Sequence, residues 1–74
     1  MSVKRVLQYH INRLKDKRPE IRLDAIRELE LLGDPDALEP LRAVYDRDED
    51  IQVRKAAQRA GRAIFLSNNS TGAY

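Results

Sequence analysis

Shifted by 32 residues, the chain partly matches itself: Asp16 falls on Asp48, Ile21 on Val53, Arg22 on Arg54, Ala25 on Ala57, Arg27 on Arg59 and Leu32 on Ile64. Upstream the shift is 30, pairing Leu7 with Ala37, Ile11 with Leu41 and Leu14 with Val44. The two-residue difference falls in the turn before the last segment, where an insertion costs little closure entropy. A helix-pair unit repeating at this period is a solenoid signature. Two such units fill a 74-residue chain and leave no room for a second domain.

Apolar spacing supplies the helices within each unit. Val3, Val6, Leu7, Ile11 and Leu14 form a stripe with steps of three and four, predicting a helix over about 2–15. Pro19 suits the first position of a second helix, where its missing N–H costs nothing, and Gly33 suits its left-handed close near 32. Asp34-Pro35 reads as the cap and first residue of a third helix over about 35–46, with Pro40 expected to bend its interior. The acids of Asp46-Arg47-Asp48-Glu49-Asp50 sit where the dipole of a fourth helix, over about 49–66, favours negative charge. The connections are short, so sequential helices are antiparallel neighbours. The expected architecture is all-α: a short α-solenoid of two antiparallel helical hairpins over residues 1–66, followed by a polar, disordered tail at 67–74.

The matched residues resemble the HEAT-like repeats of the phycobilin-lyase group. In that family an apolar-Arg pair opens the second helix of each unit and an alanine follows on its inner face. Here those residues are Ile21-Arg22 with Ala25 and Val53-Arg54 with Ala57. The junction Leu32-Gly33-Asp34 and the segment Ala37-Leu38-Glu39-Pro40-Leu41 are similar to the family's as well. The resemblance implies a hydrogen-bonded ladder between adjacent turns and helices, built here from Asp16, Arg22, Asp48 and Arg54. A carboxylate and a bidentate guanidinium suit that task.

Catalytic chemistry finds no foothold. The chain has no cysteine and one histidine, which removes disulfides and makes a thiolate or histidine metal cluster untenable. Gly-rich phosphate loops and Ser/His/Asp arrangements are absent from the sequence. His10 lies on the first apolar stripe, and a structural bond to a neighbouring backbone group accounts for it without a catalytic role. No catalytic, cofactor or metal residue is therefore assigned. No stretch reaches the roughly 20 apolar residues of a membrane span, and polar residues interrupt the N-terminus too early for a secretory core. The expected setting is the cytoplasm.

Binding is the remaining function class, and the expectation is a non-catalytic protein-interaction module, an adaptor or assembly subunit. The apolar set of the last helix runs more than halfway round it. Val53, Ala56, Ala57, Ala60, Gly61, Ile64 and Phe65 are the candidate interface, whose small residues would let another helix approach closely. Self-association as a homodimer through this helix is the simplest closed arrangement. The alternative is nucleic acid. Residues 1–18 carry six bases and one acid, residues 19–50 four bases and eleven acids, and residues 51–74 four bases and no acid. Arg54, Lys55, Arg59 and Arg62 form a basic patch on the last helix that could meet a phosphate backbone. Against this stand the acidic middle and the want of aromatics interleaved with the basic residues.

Overall fold

The computed structural model describes residues 3–69, which form four α-helices and one 3-10 turn. Helix α1 spans Val3–Arg13, α2 Pro19–Leu32, α3 Leu38–Arg47 and α4 Ile51–Asn69, with the 3-10 turn at Pro35–Ala37. Hairpin α1–α2 stacks on hairpin α3–α4 chiefly through α2 and α4. The product is a slab of 42 × 30 × 15 Å.

Local chemistry sets the boundaries. Arg18 takes the extended conformation required before proline (φ −88°, ψ 122°), and Pro19 opens α2. Gly33, at φ 66°, closes that helix by donating its N–H to the Leu29 carbonyl at 3.1 Å. Asp34 accepts from the Asp36 N–H at 2.8 Å. Asp50 caps α4 by accepting from the N–H groups of Gln52 and Val53.

Three boundaries differ from the sequence reading. Helix α1 stops at Arg13, and Leu14, Lys15 and Asp16 continue as a tighter turn bonded three residues back. Pro40 does not bend a helix interior. The segment divides into the 3-10 turn and α3, so Pro40 lies in the first turn of α3, where its absent N–H leaves no bond unmade. Helix α4 includes Ser67, Asn68 and Asn69, which the sequence reading gave to the tail. The amides of Asn68 and Asn69 donate to the Ile64 and Phe65 carbonyls, both at 2.8 Å, and Asn68 also reaches the Gly33 carbonyl at 3.1 Å. Those bonds hold the last turn to its own backbone and to the α2–α3 junction. The rest of the expected tail, residues 70–74, lies outside the described residues.

Leu29, Leu41, Val53 and Ile64 are the largest fully buried side chains and come from three helices. Ala25, Ala57 and Ala60 are equally buried, and their small size lets the helices of the two units approach closely.

Candidate functional site

Arg22 is the buried charged residue of the core. Its Nε donates to Asp48 Oδ2 at 2.7 Å and its Nη2 to Asp48 Oδ1 at 2.9 Å, a bidentate pair joining the two hairpins. Its Nη1 donates to the Asp16 and Lys17 carbonyls at 2.8 and 3.0 Å, so one guanidinium pins its own turn and the next unit's turn together. Asp48 completes the arrangement by accepting from the Asp50 N–H at 2.9 Å. Asp48 also holds the Arg22 guanidinium more firmly protonated than usual, through these hydrogen bonds, against the opposing effect of burial.

The four ladder residues predicted from sequence are therefore present, but they do not pair within each unit. Asp16 repeats the turn geometry of Asp48, accepting from the backbone N–H two residues on, here Arg18 at 2.9 Å. Its guanidinium partner is Arg18 rather than Arg22, at 3.0 and 3.1 Å. These bonds, side chain first and backbone second, pull the Asp16 carboxyl down to about 2. Arg54 does not reach Asp48. Its Nε donates to the Tyr45 carbonyl at 3.0 Å and its guanidinium lies 6.0 Å from the centre of the Tyr45 ring. Only Arg22–Asp48 makes a full rung, because a rung joins the arginine of one unit to the aspartate of the following unit.

The two outer faces of the slab are unlike. On the α1–α2 side Arg13 donates to Asp24 at 2.6 Å and to His10 Nδ1 at 3.1 Å, while Arg27 reaches the other Asp24 oxygen at 3.2 Å. His10 is thus bonded to a guanidinium rather than to backbone. Arg13 also lies over the ring of Tyr9 at 5.6 Å. On the α3–α4 side an open groove of about 450 Å³ runs between the helices, bordered by Leu38, Arg42, Tyr45, Gly61, Arg62 and Phe65. A third surface, the groove between α2 and α4, is bordered by Leu23, Ile26, Glu30, Gln52, Ala56 and Arg59.

With two matching hairpins joined by one inter-unit rung, comparison with known families is decisive: the model for HEAT repeats matches residues 1–61, most of the chain. The chain belongs to the HEAT-repeat family. No curated protein and no solved structure matches it.

The HEAT packing redistributes the interface expected from sequence. Val53, Ala57, Ala60 and Ile64 are buried in the protein's own core, 0–1% exposed, and cannot meet a partner. They look surplus in sequence because α4 must face both α2 and α3. Ala56 and Gly61 remain half-buried and Phe65 is exposed, each bordering a groove. Of the basic patch, Lys55, Arg59 and Arg62 are exposed and Arg54 is partly covered. Half of the six bases of the first segment are engaged: Lys4 pairs with Asp34 and Asp36, Arg13 with Asp24, and Arg18 with Asp16. Among the described residues no three His, Asp or Glu groups are placed to hold a metal ion, and no helix is long and apolar enough to cross a membrane. Sequence reasoning missed Arg18 and Tyr45 as ladder substitutes. Nothing in their spacing distinguishes them from surface residues.

Proposed function

We propose that this HEAT-repeat chain is a non-catalytic protein-interaction module, an adaptor or assembly subunit acting in the cytoplasm. The observation that carries this reading is the difference between the outer faces. One carries the Arg13–Asp24–Arg27 ion-pair network beside an exposed Tyr9, while the other sets exposed Tyr45 and Phe65 beside an open groove. Monomeric proteins rarely leave contiguous apolar surface without a use for it. Asp24, Asp34, Asp48 and Asp50 are tied into caps and ion pairs, which accounts for them without a catalytic role. The likeness to the phycobilin-lyase type rests on Ile21-Arg22-Ala25 and Val53-Arg54-Ala57 and carries no pigment chemistry to this chain. Purification at native abundance, followed by size exclusion with light scattering, tests the reading: a complex larger than the chain supports it, and a lone monomer overturns it.

Nucleic acid is the second reading, favoured by Lys55, Arg59 and Arg62, an exposed stripe on α4 with no carboxylate partner among the described residues. Retention on immobilised single- or double-stranded oligonucleotides that falls steeply between low and moderate salt would support it.

A further inference from the structure

We propose that the outer α3–α4 face docks a helical hairpin of another protein, whose connecting turn presents an aspartate to Arg54. This deepens the interaction-module reading and rests on it.

The two units show what such a face accepts. The residues of the first unit that match this face are covered by the second unit: Ile26 and Leu29 are 2% and 0% exposed, and Arg22 holds Asp48. Their counterparts are Gln58, Gly61 and Arg54. Gln58 is exposed, and a Cβ on Gly61 would meet nothing within 4 Å. Arg54 spends its Nε on a carbonyl and makes no ion pair among the described residues. It holds the arginine half of a rung whose other half is an aspartate in a turn between helices.

Charge selects the same occupant. Arg42 and Arg62 line this groove with Asp46, 4.0 Å from Arg42, and Arg54 lies beside it over Tyr45. A net positive face beside an apolar groove suits an acidic turn flanked by apolar helices. It does not suit a second copy of itself, because a two-fold axis would set arginines against arginines. Nor does it suit the opposite face of a second copy. There Asp16, the carboxylate that would meet Arg54, is already held by Arg18.

The test is site-specific photocrosslinking in the cells that make the protein, using the full chain with a photoreactive phenylalanine at one position at a time. Gln58 reports the α3–α4 face, Gln52 the α2–α4 groove and Glu20 the α1–α2 hairpin. The expected result is an adduct from Gln58 whose partner peptide belongs to a helical hairpin with an aspartate in its turn. Arg54→Glu should reduce that adduct by more than about tenfold, as for loss of a desolvated interfacial charge pair. Gly61→Trp, whose Cβ meets nothing within 4 Å and whose ring would occupy the groove, should do the same, with circular dichroism confirming that both variants fold. An adduct that survives both substitutions, joins two copies of the chain, or maps to a partner without that turn acid overturns the proposal. Protein adducts from Gln52 or Glu20 alone overturn it and leave the module reading standing. Adducts to nucleic acid, or none from any position, overturn both.

Discussion

Arg22 and Asp48 lie 26 positions apart and meet through two hydrogen bonds, with 11% and 7% of their side chains exposed. Truncating one partner of a pair this deeply covered strands the other. Arg22→Ala should therefore cost about 3–5 kcal/mol, a large share of the roughly 4–11 kcal/mol expected for a domain of this length. Arg54→Ala, which loses one bond to a carbonyl, should cost about 1 kcal/mol. Urea denaturation of the two variants separates these values; equal midpoints would show that the rung contributes nothing special.

The two glycines among the described residues should respond to alanine with opposite signs. Gly61 lies inside α4 with open space beside it, so Gly61→Ala should add about 1 kcal/mol and raise Tm by about 4–8 °C. Gly33 has φ 66°, where a Cβ is strained, so Gly33→Ala should cost about 1 kcal/mol. Thermal melts of both variants check the pair.

The fold was legible because its signals are local. Pro19, Gly33, Asp34 and Asp50 each act within a few residues of themselves, and the repeat period then sets hairpin order. The ladder was legible in composition but not in pairing. Arg22 and Arg54 look identical in sequence, and their difference comes from the presence of a following unit that supplies Asp48. Burial of Val53, Ala57, Ala60 and Ile64 was misassigned because the apolar arc of α4 does not disclose how many neighbours share it.

Acid should weaken the fold in a defined window. Asp16, Asp24 and Asp34 are all held below the ordinary carboxylate value, first by side-chain hydrogen bonds from Arg18, Arg13 and Lys4 respectively. A depressed folded-state value means stability that is complete above the unfolded value near 3.8 and is lost as pH falls toward the folded value, about 2 for Asp16. Tm should thus be nearly flat from neutral to mildly acidic pH and drop below about 4. Asp16→Asn should make that drop shallower.

Asn68 links the end of α4 to the α2–α3 junction through the Gly33 carbonyl. Asn68→Ala should cost about 0.5–1.5 kcal/mol. A chain cut after Leu66 should melt lower than the full chain by a similar amount. Unchanged melting in both would show that the last helical turn adds no stability.

A slab only 15 Å thick has little depth in which to hide its amide protons from water. The layer shared by α2 and α4, around Leu29, Val53 and Ala60, is sheltered on both sides, whereas α1 leans mainly on α2. Hydrogen exchange should therefore be slowest along that shared layer and faster along α1, which can peel away while the remaining three helices stay together. The molecule should breathe from its first helix, on the far side of the slab from the Arg54 face.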